Sequence, residues 1–183
     1  MNPRRRARRA ALLVAAVVAL VGLGALATAC GPSASTVKAN AQQARKAMDD
    51  VVYYDVELLL VPTVVMRTTE PTASVTASQT VAMKAWLAKD LAIIEDRAKT
   101  LANMAKSPAL GDAASDDLLK ANSMWLDRNY LPAIRKAAAA DWTGRSLGDV
   151  ETALGSPWAG KAGEAAKGAI ARFRAALAKK AGT

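Results

Sequence analysis

Six polar side chains stand where helical periodicity places apolar faces: Asp55, Asp90, Arg97, Asn122, Asn129 and Tyr130. Two carboxylates, a guanidinium, two amides and a phenol are enough for a closed hydrogen-bonded layer or for a small ligand site. A buried carboxylate without a partner is costly, or it takes up a proton. The economical arrangement is mutual. Arg97 pairs with Asp55 or Asp90, and Asn122, Asn129 and Tyr130 supply the remaining hydrogen bonds. Such a layer would set the register of an alanine-rich bundle whose small side chains discriminate poorly between alternatives. The same residues support a second expectation. Two carboxylates and an amide oxygen are hard donors suited to Ca²⁺ or Mg²⁺, and Arg97 suits a small anion. No EF-hand spacing or glycine loop accompanies them.

The residue inventory argues against catalysis, and neither a cofactor nor a resident metal is expected. The chain has no histidine and one cysteine. A Ser-His-Asp triad, an imidazole base and His/Cys zinc sites are therefore excluded. The Glu-x-x-His ligands of di-iron bundles are missing too. Met48, Met66, Met83, Met104 and Met124 are scattered and read as core filler. A two-carboxylate glycosidase would want aromatic sugar platforms, and the chain has four Trp and three Tyr.

Four helix-period segments must position these groups. The first runs from Thr36 to Met66 with Ser35 as cap. The second begins between Thr72 and Ser78 and ends near Lys106. The third, capped by Asp112, runs from Ala113 to Ala139. The fourth starts at Ser156-Pro157 and ends near Lys180. Asp141–Gly155 is a linker holding a short helix over Ser146–Leu154. Pro62 and Pro132 each remove a helix hydrogen bond and kink their helices. Short links between four helices predict an all-α antiparallel four-helix bundle over residues 36–183. Asp55 falls in the middle of the first helix's apolar face, while Asp49, Asp50 and Glu57 point outward. On the last helix Trp158, Ala162, Ala165, Ala169, Phe173, Ala176 and Leu177 share a face. Trp142 and Trp158 flank the linker, either packing it against the fourth helix or offering a partner-binding edge.

The sequence ahead of the bundle has a different character. Arg4, Arg5, Arg6, Arg8 and Arg9 precede an uncharged run over Ala10–Leu26. Three small residues, Ala27-Thr28-Ala29, then lead to Cys30. This is the order of a secretory signal. The segment resembles a bacterial lipoprotein precursor, with "LATAC" similar to a lipobox although Ala27 stands where Leu is usual. The resemblance covers residues 1–30. It implies cleavage after Ala29 and a diacylglyceryl group on the Cys30 sulfur. Residues 30–35 would then be a lipidated tether, of which Gly31–Ser35 reaches at most about 18 Å. The bundle would sit close to the extracytoplasmic face of a cell membrane, held by acyl chains.

Losing the five leader arginines takes the balance from 25 basic and 16 acidic residues to 20 and 16, a net charge of +4. That is no argument for nucleic acid, and none is expected as a partner. The sequence therefore predicts a lipid-anchored helical protein with a non-catalytic binding or scaffolding role, its partners the membrane and possible proteins at the cell surface. The alternative is a solute- or ion-binding lipoprotein that uses the inward polar layer.

Overall fold

Ser33 opens the first helix by accepting a hydrogen bond from the Thr36 amide. The computed structural model describes residues 31–182, so the leader and Cys30 lie outside it. The chain divides into two units, Met1–Pro32 and Ser33–Thr183, and all the described helices belong to the second. Helix α1 spans Ala34–Met66, α2 Ala77–Met104, α3 Ala113–Trp125, α4 Leu131–Ala139, α5 Leu147–Gly155 and α6 Gly160–Ala181. A π turn, Leu126–Tyr130, joins α3 to α4 without a break, so five helical rods pack together. The fifth rod is the short linker helix, which the expected four-helix count leaves out. No described helix is long and apolar enough to cross a membrane.

Local chemistry accounts for the helix starts. Thr76 caps α2 in a reciprocal box with Gln79, Asp112 caps α3, and Ser146 caps α5 in a box with Asp149. α1 packs most extensively on α2 and then on α6, with α5 against it as well. Its buried line of Ala41, Ala44, Met48, Val51, Leu58 and Val61 meets Met83, Leu87, Ile94 and Leu101 of α2 and Phe173 and Leu177 of α6. Small alanines on α1 let neighbouring helices come close, and the larger side chains fill the space between them.

The two prolines have different outcomes. α1 continues through Pro62, which is buried inside it. Pro132 lies at the start of α4, directly after the π turn. Its ring has no N–H and would crowd the carbonyl four residues back, at Arg128. The Leu131 amide instead donates to the Leu126 carbonyl, a five-residue step that opens the turn ahead of the proline.

The expected start of the last helix is corrected. Ser156–Trp158 is a separate 3₁₀ turn, and α6 begins at Gly160. Gly160 has φ +67°, in the left-handed region where glycine is preferred. The face that α6 buries also differs from the expected one: Gly163, Ala166 and Ile170 are buried with Phe173 and Leu177, while Ala162 and Ala165 are exposed. Gly163 is itself required. A Cβ there would lie 2.2 Å from the backbone carbonyl of Trp158.

Two loops are stitched together and hold α5 in place. Val75 N–H donates to Arg145 O, Gly144 N–H to Val75 O and Leu147 N–H to Ala73 O. With α5 fixed, the adjoining 3₁₀ turn carries Trp158 against α1.

Candidate functional site

Asp55 sits on the buried side of α1, 8 % exposed. Its Oδ1 accepts two hydrogen bonds, from the Tyr130 hydroxyl at 2.7 Å and from Trp158 Nε1 at 3.0 Å. Three elements far apart in sequence thus converge on one oxygen: α1, the π turn and the 3₁₀ turn. Tyr130 is fully buried. Its ring lies 5.6 Å from that of Trp158 and 5.7 Å from that of Trp125, and the two indoles are 4.7 Å apart. This aromatic group holds both donors in orientation.

Burial raises the Asp55 carboxyl above the ordinary aspartate range. The hydrogen bonds from Tyr130 and Trp158, and the charge of Lys167, oppose that rise without cancelling it. Tyr130 is pushed upward by burial and then by the Asp55 charge, so its phenol remains a donor.

Beside Asp55 opens a cavity of about 360 Å³ lined by Val52, Leu59, Gly155, Trp158, Ile170 and Ala171, with Lys167 and Arg174 among its walls. Lys167 Nζ donates to Glu164 at 2.8 Å, and Arg174 Nε to Asp49 at 2.7 Å. The two cations of the cavity are therefore already matched by acids outside it. The Asp55 Oδ2 accepts no hydrogen bond from any described side chain. The cavity is thus mostly apolar, with the Asp55 carboxylate at its side held by no direct ion pair and met by Lys167 only through its charge at longer range.

The other expected members of the polar layer lie elsewhere, and the layer does not form as expected. Arg97 does not reach Asp55 or Asp90. Its Nε donates to Asp50 and its Nη1 to Asp96, each at 2.7 Å. Antiparallel register explains this. Arg97 and Asp90 are seven residues apart on α2, as Asp50 and Glu57 are on α1, and seven residues make two helical turns. Asp50 therefore stands opposite Arg97, and Glu57 opposite Asp90. Asp55 is two residues from Glu57, about 200° round the helix, so it faces α6 instead. The expectation that Asp49, Asp50 and Glu57 simply point into solvent is corrected too: the first two carry ion pairs to α6 and α2.

Asn122 is buried, and its Nδ2 donates to the Leu118 carbonyl of its own helix at 2.8 Å. Asn129 is exposed. A regular α-helix would put it in line with Asn122, but Asn129 lies within the π turn, whose wider spacing breaks that alignment. Asp90 is 5 % exposed and lies in a different depression, with Glu57 beside it. Two carboxylates and an asparagine therefore do not converge on a cation. Among the described residues, no three His, Cys, Asp or Glu side chains gather as metal ligands.

Trp158 is the site residue that sequence reasoning left out. The available signal was chemical: a buried indole N–H needs an acceptor, and a buried Asp55 needs donors. Trp142, at the other end of the linker, donates Nε1 to Ala137 O at 3.1 Å and packs into the core. No known protein family, curated protein or solved structure matches this chain.

Proposed function

We propose that the chain is a lipid-anchored, non-catalytic binding protein on the extracytoplasmic face of a cell membrane, with the Asp55 cavity as its ligand site. The address is supported by the arginine-rich start, the uncharged run and the "LATAC" sequence at Cys30. The binding role is supported by one observation above others: a buried carboxylate with one oxygen engaged and the other open to an apolar cavity of about 360 Å³. That volume is within the usual range of small-molecule sites, roughly 300–1,000 Å³.

The ligand class is set by charge and lining. Lys167 and Arg174 are matched by Glu164 and Asp49, so the cavity has no spare cation for an acid. It favours a small, mostly apolar molecule with one ammonium or other donor group for Asp55. Val52, Leu59, Ile170 and Trp158 line the apolar part. Tyr130 and Trp158 orient the carboxylate, so little is lost in ordering it when a ligand binds.

Titration of tryptophan fluorescence with primary alkylamines, and with alcohols of equal chain length, tests the site. The amines should bind more tightly, and Asp55→Asn should remove that preference. No saturable binding by either series, or an unchanged preference in Asp55→Asn, would overturn the assignment. The address has its own test. The intact mass of the natural product should lack residues 1–29 and carry a diacylglyceryl group on Cys30.

A further inference from the structure

α1 and α2 leave a second feature uncovered, separate from the Asp55 cavity and independent of it. Tyr53, Val56, Leu60 and Val64 recur along one face of α1 and are each more than half exposed, as is Trp86 on α2. Apolar side chains scattered singly over a surface need no explanation, but a continuous face of this kind does. Between the two helices runs a groove of about 140 Å³ lined by Glu57, Leu60, Val61, Val64, Trp86 and Asp90. Asp90 belongs to the buried line Met83, Leu87, Asp90, Ile94 of α2. It is 5 % exposed, and no described side chain gives it a hydrogen bond or an ion pair. Its neighbour Glu57 is also an acid, and Tyr53 donates its hydroxyl to Glu57 at 2.7 Å.

The geometry points to this groove as the docking site for an amphipathic helix of a partner protein, one that sets an arginine or lysine among apolar residues. Complementarity of charge and shape selects that occupant. Tyr53 to Val64 spans about 16 Å along α1, three turns of a helix laid beside it. The apolar side chains supply i, i+3 and i+4 contacts of the kind that hold a helix in a groove. A cation entering the groove meets two acids that both line it, and Asp90 exchanges solvent for a protein partner. Burial and then the Glu57 charge raise the Asp90 carboxyl, and the charge of Lys89 beside it offsets this only in part. A second copy of this chain would bring like charges together on the same face, which is unfavourable. Anionic headgroups would meet the same two acids.

Two synthetic amphipathic helices of equal apolar face, one with arginine and one with glutamate at the central position, test the inference. Each is titrated against the protein isolated from its own cells. The arginine helix should bind and the glutamate helix should not. Asp90→Asn should weaken the arginine helix by about tenfold, the scale expected for an interfacial charge pair. Leu60→Glu, on the surface and harmless to folding, should abolish binding. Equal binding of the two helices, or binding of neither, would overturn the inference. So would self-association lost in Leu60→Glu, which would assign the face to a second copy, or loss of anionic-vesicle binding in the same variant, which would assign it to the membrane.

Discussion

The Tyr130 hydroxyl donates to Asp55 Oδ1 at 2.7 Å across 75 residues of sequence, and this bond ties the π turn to the middle of α1. It is charge-assisted and fully enclosed on the tyrosine side, the setting in which such bonds contribute most. It also couples the proposed binding carboxylate to the packing of the core.

Removing either side of that bond should be costly, and in different ways. Tyr130→Phe leaves Asp55 with Trp158 alone and should destabilise by about 1–3 kcal/mol. Asp55→Leu should cost a similar amount, about 1–3 kcal/mol, because it strands the Tyr130 hydroxyl and the Trp158 N–H. Arg97 is untouched by that change, since Asp50 and Asp96 hold it. Asp55→Asn keeps an acceptor and should be milder than Asp55→Leu. Urea midpoints at constant slope measure all three. Equal midpoints for Asp55→Leu and the parent would show the carboxylate to be solvated.

Stability should rise as pH falls from neutral toward about 4. Asp55 and Asp90 both have carboxyls raised on folding, each first by burial. Between the unfolded aspartate value of about 3.9 and those raised values, the folded chain holds more protons than the unfolded one. Lowering pH through that window therefore favours the folded state. Asp55→Asn should flatten the rise, and alkylamine binding should weaken over the same window as Asp55 loses its charge.

Below about pH 4 the sign reverses. Lys180, then the Ser115 amide, hold the Asp112 carboxyl down at about 2, and Asp141 and Asp149 are lowered by hydrogen bonds from Thr143 and Ser146. These groups add stability above the unfolded value that is lost as pH falls through their folded ones. Asp112→Ala should cost about 0.5–2 kcal/mol at neutral pH as a lost helix cap. Lys180→Ala should cost less than about 1 kcal/mol, because the ion pair is partly solvated. Thermal melts of both variants at pH 7 and pH 3 check the order; Lys180→Ala costing more than Asp112→Ala would refute it.

Two glycines of α6 should respond oppositely to alanine. At Gly163 the added methyl meets the Trp158 backbone at 2.2 Å, so the 3₁₀ turn must move. Gly163→Ala should lose about 1–3 kcal/mol and weaken alkylamine binding by displacing Trp158. At Gly168 the nearest atom is the end of the Arg172 side chain, 3.5 Å away. Gly168→Ala should gain roughly 0.5–1 kcal/mol from helix propensity alone. Paired melts of the two variants settle it. A neutral Gly163→Ala would mean that Trp158 is not held by this contact.

Short-range forces decided the part of this structure that the sequence determined by itself. The caps at Asp112 and Ser146 bond to groups three residues away, and the periodicity of α1 and α2 arises from their own side chains. Helix type and most boundaries were legible for that reason, as was the burial of Asp55, Asp90, Asn122 and Tyr130. Only the tertiary structure decided which buried groups meet. Asn129 falls within the π turn ahead of Pro132 and is exposed, and α6 buries a face turned from the one its periodicity suggested. An error of one residue in register turns everything beyond it by about 100°. Trp158 meets Asp55 across 103 residues, and Arg97 meets Asp50 across 47. Such pairings depend on the register and rotation of whole rods, which no local pattern encodes.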